Sequence, residues 1–464
     1  METSLTGRIL PVGAATAKDK LSIARQDWFV MDIAQDACNR RQFLCAAGAA
    51  GCSLAAGSAV FALPPGDEKL ILSAPLTHSD WMLKPGIPWG VDGVRHMLDV
   101  CKSFGLSRIY WRVLDGGRAM YRSKIVRAEG KWDGDNFWNP KSDGDRQLSE
   151  RFSGGVSSEK RKQIIDKFQS LDYAHFDTFA AAVEYGHQIG LQIHAWVSIN
   201  EDDHGWGLTS DFARAHPQYR WVRRDGRPYH SQMSFAFAEV REYKLQIIRE
   251  LLQGYPLDGI FLDWIRTGDV RDNPQTDGDG VANSGYETPL VEEFKKRFGV
   301  DPHQVPNNDP RWVQMRAEPQ TSFMRECRKL LDSQSRKIPL AVMVAHPWHY
   351  RGMQDKIDGS LNGLLLDVKT WASEHLIDAA VAAGYYRAGG NASLAWKSLF
   401  EITSGQVDVW TYAWVPQNVA DFATALAIAR QLGARQILFW EADYFDDRSD
   451  ASGLKAAMTR QDKA

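Results

Sequence analysis

Residues Phe235 to Arg266 read FAFAEVREYKLQIIRELLQGYPLDGIFLDWIR. Val240, Tyr243, Ile247 and Leu251 recur at helical spacing on one face, so the first half predicts an amphipathic helix. Tyr255-Pro256 ends it, because proline disfavours helical backbone in the residue before it. Leu257-Asp258-Gly259-Ile260-Phe261-Leu262-Asp263 then predicts a strand whose last residues turn polar. A carboxylate that ends an apolar barrel strand emerges at the bottom of the barrel mouth, partly desolvated and within reach of substrate. Asp258, ahead of Gly259, reads instead as a turn or cap residue at the opposite, stability face.

The same unit recurs along the chain. From Lys69 onward, short apolar runs alternate with amphipathic helical runs, the pattern of βα units around a parallel sheet. Eight strands are expected: Leu70–Leu76, Arg108–Leu114, Leu191–Ile199, Gly259–Ile265, Leu340–Ala345, Ala379–Tyr385, Val407–Trp414 and Gln436–Trp440. Helical patterns are clearest over Val91–Phe104, Phe176–Ile189, Val240–Leu252, Pro289–Phe298 and Val419–Leu432. Eight units in one chain, with no glycine-rich phosphate loop opening a helix, predict an α/β fold of one (β/α)8 TIM barrel rather than an open dinucleotide-binding sheet. The longest connections, Asp115–Leu171, Asn200–Ala238 and Arg266–Asp309, follow strands two, three and four. They should wall one side of the mouth into a cleft.

The barrel domain is expected over residues 63–464, after an N-terminal extension and signal over residues 1–62. Asn39-Arg40-Arg41-Gln42-Phe43-Leu44 precedes a small-residue apolar run, Cys45 to Ala59, and Val60-Phe61-Ala62 precedes Leu63-Pro64-Pro65. That is the pattern of a twin-arginine export signal with cleavage after Ala62, and the run is too short for a stable membrane anchor. The expected location is periplasmic or extracellular. A formal net charge of −3 without a basic patch points away from nucleic acid. Of five cysteines only Cys101 and Cys327 lie beyond the signal, on separate helical patterns, and are expected as buried thiols. The 17 tryptophans, many beside Asp, Asn, His or Gly in loop-like segments, suggest flat stacking surfaces for sugar rings.

The helix, turn and Asp-Gly strand ending in Asp263 resemble the glycosyl-hydrolase-like 10 family of TIM-barrel proteins. The close resemblance covers about thirty residues, and the strand order extends it over most of the mature chain. It implies hydrolysis of glycans, with the fourth-strand carboxylate near the chemistry. Trp264 stands where many relatives carry a second Asp or a Tyr, so contacts attributed to a paired Asp do not transfer.

Glycoside hydrolysis ordinarily needs two carboxyl groups of different acidity. Asp263 is the first. Glu441, directly after the apolar strand Ile437-Leu438-Phe439-Trp440, is the preferred second, ahead of Glu201 and Asp115. Glu201 lies in Asn200-Glu201-Asp202-Asp203-His204, which reads as a solvated loop, a substrate contact or a metal site. Arg112 and Arg266 are candidates to orient Asp263 and bind hydroxyls. His346 and Trp348 after the fifth strand are candidate substrate contacts, and Trp196, Tyr385, Trp410, Tyr412 and Trp414 at the ends of the third, sixth and seventh either line sugar subsites or, alternately, fill the barrel core. No cofactor and no metal is expected, since Pro347 interrupts the two histidines His346 and His349 and no carboxylate is spaced to join them. The rival readings are a carbohydrate-binding barrel without catalysis and a metal-dependent barrel hydrolase.

Overall fold

The computed structural model describes residues 69–78, 81, 84, 86–129, 166, 170–202, 209–263, 265, 284–345, 365–383, 392–448 and 451–461. Eight parallel strands form the barrel: β1 Ile71–Leu76, β2 Arg108–Asp115, β3 Gln192–Ser198, β4 Gly259–Asp263, β5 Leu340–Ala345, β6 Ala379–Ala383, β7 Asp408–Trp414 and β8 Gln436–Trp440. Each pairs with the next, and β8 returns to β1 through Gln436 opposite Ile71, so the sheet closes. All eight expected strands are present, most within a residue or two of the boundaries read from the sequence.

One helix packs outside the barrel after each strand: α1 Val91–Ser103, α2 Thr178–Gln188, α3 Ala238–Gly254, α4 Pro310–Asp332, α5 Val368–Ser373, α6 Ala392–Thr403, α7 Val419–Leu432 and α8 Ser452–Arg460. The largest apolar cluster lies between strands and helices; α3 contributes Val240, Ile247, Ile248 and Leu251, each worth about 1.5–3 kcal/mol on burial. Cys101 and Cys327 are free and buried in that layer. A smaller cluster fills the barrel itself, with Tyr110, Trp196, Phe261, Met343, Val381, Trp410, Tyr412 and Leu438 pointing inward from successive strands. Its floor is polar and closed. Gln436 donates to Ser73 Oγ at 2.9 Å and Tyr110 Oη at 2.7 Å and accepts from Arg108 at 2.6 Å.

Gly259 is required by this interior. A Cβ there would overlap the imidazole of His194 and come within 3.0 Å of Pro339 Cγ. Asp258 beside it accepts from the Ile193 N–H at 2.7 Å and lies 2.8 Å from His187, so it ties β4 to β3 at the lower end of the barrel. Asp378, before β6, accepts from the Leu340 N–H at 2.8 Å in the same way. Between β3 and α3 a two-stranded hairpin forms from Arg220–Val222 and Pro228–Met233, and helix Thr288–Phe298 lies between β4 and α4.

Candidate active site

β2 carries the cation of the mouth. Its alternation turns Ile109, Trp111 and Val113 toward the helices and Tyr110 and Arg112 toward the barrel axis. Past Asp115, Gly116 and Gly117 take positive φ and reverse the chain, so that Arg118 pairs opposite Asp115. Arg112 Nη2 donates to Asp115 Oδ1 at 2.7 Å and to Ser198 Oγ at 2.9 Å, and its guanidinium lies 4.3 Å from the Trp196 ring centre. Burial alone would lower the pKa of Arg112. The carboxylates of Asp115, Glu201, Asp263 and Glu441 outweigh it and hold the value above the ordinary one.

The paired strands β3 and β4 set Asp263. Ser198 stands opposite Asp263 in the register, and the Ile199 N–H donates to the Asp263 carbonyl at 2.9 Å. Trp196 Nε1 donates to Asp263 Oδ2 at 3.2 Å, and the carboxylate is 3 % exposed. The polar run after β3 is buried rather than solvated: Glu201 is 1 % exposed, and both oxygens of buried Asp202 accept from Lys244 of α3 at 2.7 and 2.8 Å. That ion pair pins the Asn200-Glu201-Asp202 turn to the helix ahead of β4. Asp203 and His204 lie outside the described residues.

Glu441 follows β8 through a cis peptide from Trp440 and is 5 % exposed. Ala442 N–H donates to the Pro75 carbonyl, which fastens this end to β1. Across the mouth, Trp440 meets Trp196 edge-on at 5.4 Å and stacks with Tyr412 at 6.0 Å. Asp263 and Glu441 thus stand at the ends of opposite strands, and both carboxylates act electrostatically on Arg112.

The aromatic contacts expected for sugar divide by height. Trp410 lies in the barrel core: it stacks on Tyr110 at 5.4 Å, and its N–H turns down to Asp408 at 3.1 Å. Trp196 and Tyr412 are buried beneath the mouth and support it, while Trp414 is 41 % exposed at the end of β7. Arg266, His346, Trp348 and Tyr385 lie outside the described residues. Among the described residues no group of three or more His, Cys, Asp or Glu side chains is arranged to hold a metal ion. Sequence reasoning missed Ser198 and the Asp202–Lys244 pair; the signal was a polar run directly after an apolar strand, with a lone lysine on the buried face of the next helix.

The barrel is shared with solved glycosidases. The chain superposes on alpha-L-fucosidase isoenzyme 2 from Paenibacillus thiaminolyticus with a TM-score of 0.51 and 13 % identity, over 85 % of this chain and 49 % of that one. It thus spans about half the length of that enzyme. The catalytic domain of the beta-amylase from Paenibacillus polymyxa gives 0.53 at 9 % identity, over 85 % and 99 %. The PgaB (BpsB) glycoside hydrolase domain from Bordetella bronchiseptica gives 0.50 at 11 %, over 84 % and 99 %. At these identities the likeness is one of fold. No curated protein sequence matches the chain. Residues 157–407, more than half of the chain and including β3 through β6, match the family described as Glycosyl hydrolase-like 10. With the Asp-Gly strand, its terminal Asp263 and the closed barrel in place, the chain belongs to the Glycosyl hydrolase-like 10 family.

Proposed function

We propose that this barrel hydrolyses a glycosidic bond in a polysaccharide or glycan strand, with Asp263 and Glu441 as its carboxyl pair. The observation that carries the reading is their placement at the ends of opposite strands, both nearly buried and both acting on Arg112. Two carboxyl groups flanking a mouth divide the work: one protonates the leaving oxygen, the other attacks or activates water. Arg112 brings a buried positive charge beside the carboxyl groups, Trp196 holds Asp263 in orientation, and exposed Trp414 offers a face to a sugar ring. The twin-arginine signal supports export of the folded chain, which would set it before extracellular or periplasmic glycans.

Asp263→Asn keeps shape and removes charge. On a polysaccharide panel that includes peptidoglycan, it should abolish turnover while largely retaining sugar binding. Activity that survives removes Asp263 from the chemistry, and sugar binding without turnover in the unaltered protein favours the non-catalytic barrel.

A further inference from the structure

We infer that Asn200 is a sugar-contacting residue of this mouth, one that takes a paired donor and acceptor on the bound ring. The assignment rests on the glycan reading above and adds a specific contact to it. Asn200 is 0 % exposed, yet neither its Oδ1 nor its Nδ2 has a hydrogen-bond partner among the described residues. A buried amide left without partners is costly, and such groups are retained where a ligand or a function uses them.

Its surroundings place it in the site. Ile199 belongs to the layer under the helices, and Asn200 follows it in the turn that leaves β3, two residues beyond Ser198. Ser198 Oγ accepts from Arg112, the Ile199 N–H holds the Asp263 carbonyl, and Glu201 on the other side acts on Arg112. The Asp202–Lys244 pair anchors the same turn to α3. A carboxamide presents one acceptor and two donors from a flat group. Two sugar features match it, the vicinal hydroxyls of a plain hexose and the acetamido group of an N-acetylated amino sugar.

Structural and sugar-binding roles for Asn200 move stability in opposite directions. Asn200→Leu keeps the branched shape and the number of heavy atoms and removes the unpartnered polar atoms. It should leave the thermal midpoint unchanged or raised, and weaken oligosaccharide binding by roughly tenfold or more. The measurement is calorimetric titration of cellohexaose and chitohexaose into the mature protein carrying Asp263→Asn, with and without Asn200→Leu, and with Asn200→Ser as a partial rescue. Weakening confined to chitohexaose assigns the acetamido group, and weakening of cellohexaose assigns the diol. Unchanged affinity in the leucine variant, or a lowered midpoint, overturns the assignment alone. If the protein without Asn200→Leu binds neither sugar, the glycan reading falls and this assignment falls with it.

Discussion

Trp196 donates its indole N–H to Asp263 Oδ2 across the β3–β4 pair while the face of the same ring lies under Arg112. One side chain thus sets both the orientation of a carboxylate and the height of the cation that acts on it. Trp196→Phe separates the two tasks by keeping an aromatic face and removing the donor. A hydrogen bond to a charged group is worth about 1.5–3 kcal/mol. We expect kcat to fall by roughly tenfold or more with KM little moved, read from steady-state kinetics on a substrate found active. An unchanged kcat would mean that Asp263 needs no such support.

Glu287 titrates inside the insertion that follows β4. It is buried beside Arg316, and burial pushes its carboxyl up from 4.5 to about 7. Below about pH 4.5 both folded and unfolded chains carry the proton and the site costs nothing. Between there and about pH 7 the unfolded chain loses its proton first, so stability falls as pH rises, and the full cost remains above pH 7. Glu287→Gln should therefore stabilise by up to about 3 kcal/mol at pH 8 and by little at pH 4. Urea midpoints at the two pH values check it, and equal gains at both would assign the effect to packing.

Gly259→Ala tests the interior register. The added methyl would lie 2.5 Å from His194 Cε1 in a closely packed barrel. We expect a loss of about 1–3 kcal/mol in denaturant unfolding, recovered in part when His194→Ala is added. Additive losses in the double variant would place the strain elsewhere.

Arg40 and Arg41 precede the apolar run of the proposed export signal. Replacing both with Lys should hold the protein in the cytoplasm on cell fractionation. Undiminished export would remove the twin-arginine route.

The strands were legible because barrel strands buried on both faces are short runs of Val, Ile, Leu, Ala and aromatics that end abruptly in polar residues. Asp263 and Glu441 could be placed for the same reason, each standing where such a run stops. Helix α4 was hidden: Pro319 sits in its interior and reads as a breaker, although Pro310 at its start and Asp309, which caps the Arg311 N–H at 2.9 Å, are ordinary opening signals. The depth of Trp410 was not legible, because alternation gives the face of a strand and not the height along it. The same face of β7 runs from Asp408 at the floor to Trp414 in solvent. Nor could sequence show that Asn200, Glu201 and Asp202 are buried, since that depends on what packs over a polar run.

The network of Arg108, Gln436, Ser73 and Tyr110, capped by the Tyr110–Trp410 stack, stops the barrel like the base of a cup. Nothing the size of a sugar can pass along the axis, so arrival and departure share one doorway. Under the proposed hydrolysis, a cleaved chain would have to back out or slip sideways along the rim before another could settle. On such a scaffold the pace of repeated turnover would depend on the rim as much as on the carboxyl pair beneath it.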